Sequence, residues 1–392
     1  PNHIPPDRVV DFDIYAPSGA KEDYHQAWKA LQQPGTAELI WTPRNEGHWI
    51  ATSGTLIHHI FADYQRFSSR VIIVPKSIGQ HDKLPPITRD PPIHRHFRVL
   101  LSTGISPKAV ASREGMIRDM AVELIEKLRP RGGCEFTREF AEELPIRIFM
   151  DMVDMPMEDA ARIKYYVDHI TRPDEAMSFE DAMKALIDHV APVAAARRGG
   201  QGEDLITHMV NGRIGDRPLT EIEAAELSAQ TLIGGVDTVV NMLSFMMLHL
   251  ARHPEHRLEL KKNPELIPDA VEEYLRRFPL IADGREVVAD MEFEGVSMRK
   301  GEMIVLPTAL HGLDERENTC PMQVDFHRSM RRHSSFGNGP HKCPGAQLAR
   351  TEMRIVLEEW LARIPDFTVK PGFNVSFSSG VVGAVDALPL VW

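Results

Sequence analysis

Residues 218–253 read PLTEIEAAELSAQTLIGGVDTVVNMLSFMMLHLARH, and they set the scale of whatever this chain folds into. Thr220 with Glu223 three residues on forms a capping box, which starts a helix. From there the helical pattern runs for roughly 33 residues, or ~50 Å at ~1.5 Å per residue. Its second half is apolar nearly all round, so it must be buried on several sides. A helix this long and this apolar crosses the whole molecule, and the other elements pack around it. Its centre breaks helix rules. Gly234 and Gly235 each cost about 1 kcal/mol relative to alanine, and the carboxylate of Asp237 is costly in an apolar run unless it is partnered. Gln230, Gly234 and Thr238 lie four apart on one face. The glycine clears space on that face, and Thr238 sets a hydroxyl beside it. That hydroxyl can also bond back to a carbonyl four residues earlier and open the helix. A tolerated kink with a satisfied polar pair explains the same residues.

Around this helix the pattern is mainly α with small β-sheets, an α+β class. Residues from about 91 to 280 are mostly helical, including SREGMIRDMAVELIEKLRP (112–130), with another helix over about 345–363. Strand patterning falls at about 36–75, in AELIWTP, HWIATSG and RVIIVP, and at 286–307, with turns at Gly295 and Gly301. The C-terminal stretch reads as short strands, and ARRGGQGEDL (196–205) reads as a surface loop. No βαβ alternation appears, which excludes a doubly wound nucleotide-binding fold. No linker interrupts residues 1–392, so one domain is expected. Net charge is −11, which argues against a nucleic-acid partner. No apolar run reaches the roughly 18 residues of a membrane helix. The first residues lack a basic start followed by an apolar stretch. A cytoplasmic, monomeric protein is the expectation.

The three cysteines, Cys134, Cys320 and Cys343, are far apart, so neither a disulfide framework nor a CxxC zinc site is expected. Cys134 and Cys320 read as small packing residues. Cys343 sits in SSFGNGPHKCPGAQLAR (334–350), with glycines at 337, 339 and 345. As a nucleophile it needs an aligned base, and His341 two residues away is not thereby aligned. One cysteine is too few ligands for structural zinc. A cofactor that brings the remaining ligands fits better. The helix that follows offers its N-terminal N–H groups to a thiolate. Upstream, Glu273 and Arg276 are three apart in PDAVEEYLRRFPL (268–280) and pair on one helix face.

Together these segments resemble the cytochrome P-450 superfamily. Phe336-x-x-Gly339-x-x-x-Cys343-x-Gly345 is similar to its haem-ligand loop, Gly234-Gly235-Val236-Asp237-Thr238 to its oxygen-activation motif, and Glu273-x-x-Arg276 to its third signature. PIRIFM, GGVDTVVNMLSF, LDEREN, CPMQVDF and ALPLVW extend the likeness to the bacterial class I, camphor-hydroxylating branch. The resemblance implies haem b between the central helix and the helix after the cysteine loop, with Cys343 as axial iron ligand. Asp237 and Thr238 are implied to deliver protons to bound O2. Arg98, His94, Arg285, Asp283 and His341 are implied around the haem propionates, with Phe336, Gly337 and Gly345 against the macrocycle. Glu273 and Arg276 then become a buried structural clamp. The implied reaction is hydroxylation of an unactivated C–H bond. Its electrons come from an acidic [2Fe-2S] ferredoxin and an NADH-dependent reductase. The docking cations are Arg331, Arg332, Lys342 and Arg350, in and beside the basic run HRSMRRHSS (327–335). A peroxide-using haem-thiolate enzyme or a non-catalytic haem-binding protein would dispense with the acid–alcohol pair kept here. His94 and His96, two apart, do not share a helix face and are not expected to bind metal.

The likeness fails around the substrate. No tyrosine occurs from 65 to 164, and Asp82 falls where that branch carries its substrate-orienting hydroxyl. An ionised carboxylate cannot donate to a ketone. Gln230 replaces an apolar residue and can donate from another direction. Ile73, Ile233, Gly234, Ile281 and Val382 are expected to complete an apolar pocket. The substrate expected is a monoterpenoid or an ionone-type norisoprenoid ketone rather than camphor. Pro344 replaces an aliphatic residue after the cysteine, where partner preference is set.

Overall fold

The computed structural model describes residues 1–81 and 84–392. Asp82 therefore lies outside the described residues. The central segment starts at the expected capping box: Thr220 Oγ1 accepts from Glu223 N at 3.1 Å, and Glu223 Oε2 accepts from Thr220 N at 2.9 Å. It is two helices rather than one. Glu221–Val236 ends and Thr238–Arg252 begins at Asp237, whose φ of −113° departs from the helical value. The Thr238 hydroxyl donates to the Gly234 carbonyl at 3.5 Å, and Asn241 Nδ2 donates to the Asp237 carbonyl at 3.0 Å. The Thr238 hydroxyl thus takes a carbonyl at the break, while the Asp237 carbonyl also keeps its bond from Asn241 N at 3.3 Å.

Glu221–Arg252 is long and apolar enough to cross a membrane, which corrects the sequence reading that no run reaches that length. Asp237 and the glycines hide the pattern from an uninterrupted count. Of its most apolar window, 72% is buried inside the fold, as expected for a core helix. It packs against Phe179–Ala196, Glu143–Val153 and Ala160–Thr171.

The paired glycines do different work. A Cβ on Gly235 would lie 2.3 Å from the Phe149 ring, so this glycine lets Glu143–Val153 approach. A Cβ on Gly234 meets nothing within 4 Å, because that face opens into a cavity. Gly235→Ala is expected to cost about 1–3 kcal/mol by overpacking. Gly234→Ala is expected to cost nothing in stability, and urea unfolding midpoints of the two variants check the contrast.

The main sheet has five strands in the order Leu39–Thr42, His48–Ala51, Met303–Pro307, Ala282–Val287, Phe67–Ser68. His48–Ala51 and Met303–Pro307 run parallel, and the other pairs are antiparallel. Strands from both β-patterned regions therefore share one sheet. RVIIVP is not a strand, contrary to the sequence reading. Val71, Ile73 and Val74 are all buried, so the run fills the core instead of alternating in a ladder. The Ile72 carbonyl accepts from Gly284 N at 2.7 Å, and a Cβ on Gly284 would come within 2.9 Å of Ile72 backbone. The hairpin Met291–Phe293 with Val296–Met298 turns through Glu294 and Gly295 at φ 48° and 76°. At the C-terminus, Thr368–Val369 and Pro389–Val391 pair in a sheet with Gly133–Glu135, which carries Cys134. Burial pushes that thiol up to about 12, so it is inert. Residues 197–204 form the expected connection between two helices.

Candidate haem site

The 18-residue helix Ala346–Arg363 packs on Pro107–Leu128 and Ile267–Arg277. Its N-terminus and the central helix border one cavity of ≈ 340 Å³. The central helix contributes Gln230, Ile233, Gly234 and Thr238, and the cysteine loop contributes Phe336, Gly337, Cys343 and Gly345. His341 also lines the cavity, as do His94 and Arg98 from Ile93–Gly104, and Asp283 and Arg285 from the main sheet. Ile73, Ile281 and Val382 complete the predicted lining, the last two as bridge partners.

The cysteine loop is held by its own backbone. Cys343 N donates to the Phe336 carbonyl at 2.8 Å, and Gly337 N to the Ser334 carbonyl at 2.8 Å. Gly337 and Gly339 have φ of 63° and 65°, a region that side chains avoid. A Cβ on Gly339 would also lie 2.6 Å from the Ala62 backbone. Beside Gly345, the nearest atom to an added Cβ is Cys343 Sγ at 3.8 Å, which leaves an open face next to the sulfur. The Arg350 guanidinium stacks 4.7 Å from the Phe336 ring centroid.

Electrostatics at Cys343 differ from the sequence expectation. Burial pushes its thiol up. The N–H groups of Gly345 and Ala346, with the charges of Arg98 and Arg350, pull the other way without prevailing. A helix N-terminus supplies about half a charge, too little to offset this burial. A thiolate here calls for a metal cation, which deprotonates a coordinating thiol outright.

The polar groups test whether haem fits. Arg98 donates to the Lys342 carbonyl and has no carboxylate partner among the described residues. Arg285 donates to the Gly284 carbonyl at 2.6 Å and lies 3.5 Å from Asp283. The ring centroids of His94 and His341 are 4.3 Å apart, and the Nε2 atom of each is buried without a hydrogen-bond partner among the described residues, with Asp90 4.0 Å from that of His341. Burial, reinforced by Arg285, His94 and Arg98, pushes His341 down to about 2. Burial also pushes the Asp283 carboxyl up, against the pull of Arg285. Two guanidinium groups and two orphaned imidazoles around one cavity suit a dianion at its edge. With a sulfur ligand and glycine-cleared faces, these residues fit an iron porphyrin with two propionates.

Asp237 and Thr238 face different surroundings. Thr238 lines the cavity, whereas Asp237 is fully buried outside it and binds Arg172 at 2.7 and 2.9 Å. Lys164 lies 3.8 Å from the Asp237 carboxylate and also pairs with Asp168, which accepts from Arg172 at 3.0 Å. Burial raises the Asp237 pKa, but Arg172 and Lys164 outweigh it and hold the carboxyl below its ordinary value. Sequence reading missed Arg172, Lys164 and Asp168. They lie on and just after Ala160–Thr171, far along the chain, and no periodicity points from them to Asp237.

Glu273 and Arg276 are both 0% exposed and joined by two hydrogen bonds, at 2.7 and 2.9 Å. Arg276 also donates to the Gly312, Pro321 and Gln323 carbonyls. The predicted docking cations are only partly free. Arg331 is a correction: its side chain is 14% exposed, and it binds Asp269 and the Phe326 carbonyl, so its charge is neutralised inside the fold. Arg350 binds Glu272 at 2.5 and 3.1 Å. Arg332 is 56% exposed and pairs loosely with Glu317 at 3.4 Å, and Lys342 is exposed. His94 is buried while His96 is exposed, so the two do not converge.

The sulfur-bearing cavity and the helix beside it fit the haem site of an oxidoreductase. Comparisons with known proteins agree. A family model described as Cytochrome P450 matches residues 169–372. The chain is 31% identical to the probable cytochrome P450 127A1 of Sinorhizobium fredii, over 100% of this chain and 96% of the relative. Among solved structures, that of CYP101J2 is 44% identical, with a TM-score of 0.91, covering 100% of this chain and 98% of that one. The structure of CYP101C1 is 39% identical, with a TM-score of 0.92, covering 100% and 99%. This chain belongs to the cytochrome P450 family, in its bacterial branch. It is a monooxygenase that binds haem b and uses O2 with electrons from a redox partner.

Proposed function

We propose that this monooxygenase hydroxylates a small terpenoid ketone, a monoterpenoid or ionone-type norisoprenoid rather than camphor, with Cys343 as its iron ligand. The observation that carries the reading is the cavity, which brings the Cys343 thiol, the Thr238 hydroxyl and an apolar wall together. Haem b, when bound, supplies the redox chemistry that activates O2 and hydroxylates a C–H bond. Arg98, Arg285, His94 and His341 hold its propionates, with Asp283 orienting Arg285. Gly234 keeps space clear above the site. The Thr238 hydroxyl, inside the cavity, hands protons on. Asp237, held anionic by Arg172, accepts protons that arrive through Asp168 and Lys164 and releases them toward Thr238 by turning away from Arg172. The pairing observed for Asp237 supports the first half of that path.

The pocket is lined by Ile73, Ile87, Ile233, Val239, Ile281 and Val382, which exclude water from the reacting carbon. The Gln230 side chain has no hydrogen-bond partner among the described residues, so its amide is free to donate to a ketone. Leaving a buried carbonyl without a donor costs about 1–3 kcal/mol. Electrons come from an acidic [2Fe-2S] ferredoxin, reduced by an NADH-dependent reductase, docking near Lys342 and Arg332 in the cytoplasm. Low- to high-spin shifts of the haem enzyme across a panel of terpenoid ketones test the substrate. An ionone or monoterpenoid ketone is expected to give a larger shift than camphor, and Gln230→Leu is expected to weaken its binding about 5–100-fold. A full camphor shift with hydroxylation tightly coupled to NADH use would overturn the reading.

A further inference from the structure

The joint between Thr238–Arg252 and Pro254–Lys262 carries His249, His253 and His256. Each offers one ligand nitrogen, and the three lie within 4.8 Å of one another. None of the three lines the haem cavity. The His249 and His253 ring centroids are 4.2 Å apart, those of His249 and His256 are 5.0 Å apart, and His249 Nε2 meets His256 Nδ1 at 2.8 Å. Chain geometry creates the cluster. His253 is at once the last cap of one helix and the first of the next, with φ −125° and ψ 79°, and Pro254 starts the second helix. The bend folds His256 back onto His249.

We propose that His249, His253 and His256 form a binding site for a divalent cation of the zinc class, separate from the haem, that staples the two helices together. Three imidazole nitrogens with an open position are a recurrent zinc environment. The Glu255 carboxylate lies 2.8 Å from His253 Nδ1, a contact that fixes the imidazole and leaves its Nε2 for metal. The floor is aromatic: the rings of Tyr274 and Phe278 lie 5.7 Å from His249, and that of Phe326 lies 5.0 Å from His256. Metal bonds of about 2.0–2.1 Å set tetrahedral nitrogens about 3.3 Å apart. The His249–His256 contact then opens by about half an ångström, with the stacked rings turning about χ2.

The test is Zn2+ binding to the haem-loaded protein, freed of metal by dialysis, in competition with a chromophoric chelator. One Zn2+ per chain is expected, with a raised thermal midpoint. His256→Gln and His253→Gln are each expected to weaken binding by more than about 100-fold, and Glu255→Gln by about 10–100-fold. An unchanged Soret band in each variant establishes that it is folded. His253 is 44% exposed, so its substitution does not disturb the core. No stoichiometric Zn2+ in the parent would mean a hydrogen-bonded imidazole stack only and would overturn the proposal. Equal binding in parent and variants, or binding without a rise in the midpoint, would overturn it too. The haem site stays intact under each of these outcomes, so failure here leaves the functional reading untouched.

Discussion

Glu273→Ala is expected to cost the enzyme about 3–5 kcal/mol and to leave most of the protein without haem, because it strands a buried guanidinium. Arg276 is fully buried, and two of its five bonds go to Glu273. Glu273 also accepts from Asp325 N at 3.0 Å and from Arg328 at 3.2 Å, so the substitution removes the carboxylate partner of two cations and of a backbone donor. There is no room for compensating movement. A Cβ on Gly312 would lie 1.9 Å from the Arg276 carbonyl, which shows how closely the two backbones approach. The clamp ties Ile267–Arg277 to residues 312–328, the stretch that leads into the cysteine loop. Arg277 Nε adds a bond to the Met322 carbonyl at 2.8 Å, and Ser335 Oγ bonds the Leu275 carbonyl. Loosening this tie displaces the loop, so haem retention falls with stability. Urea midpoints and the ratio of Soret to protein absorbance measure both. A variant within 1 kcal/mol of the parent with full haem content would show that the clamp does not hold the loop.

Asp237→Asn is expected to lower coupled turnover by about 10²–10⁴-fold, the range for loss of a proton-transferring group. Asparagine keeps the size and can still accept from Arg172 through its carbonyl, but it carries no proton. Asp237 does not line the cavity, so substrate-induced spin shifts are expected to stay unchanged while kcat falls. Thr238→Ala differs. Its hydroxyl is in the cavity, so oxygen uptake and NADH consumption are expected to continue with electrons diverted to peroxide. Stopped-flow rates and peroxide yields separate the two roles. Parent-like kcat in Asp237→Asn would remove the carboxylate from the proton path and reduce it to a partner of Arg172.

Elements governed by local chemistry were legible in the sequence. Thr220 and Glu223 satisfy each other across one turn, Gly295 and Gly301 turn the chain at positive φ, and the cysteine loop is closed by residues within ten positions. Parts that depend on distant partners were not. Asp237 was identified as needing a partner, but Arg172 lies 65 residues away. RVIIVP has strand composition, yet the packing of Val71, Ile73 and Val74 decided its conformation. The basic run around 327–335 looked solvent-facing. Its Arg328 and Arg331 instead turn toward the buried Glu273, because one carboxylate inside the fold attracts several nearby cations. At Cys343 the helix N-terminus was legible, whereas the burial that outweighs it depends on the cavity as a whole.

The central claim is that the Cys343 sulfur, as thiolate, holds the haem iron. The absorption spectrum of the reduced, carbon monoxide-bound protein tests it most directly. The expected result is the red-shifted Soret band of a thiolate-ligated ferrous carbonyl, lost in Cys343→Ser. A band at the position of histidine-ligated haem, or a thiolate band that survives in Cys343→Ser, would contradict it.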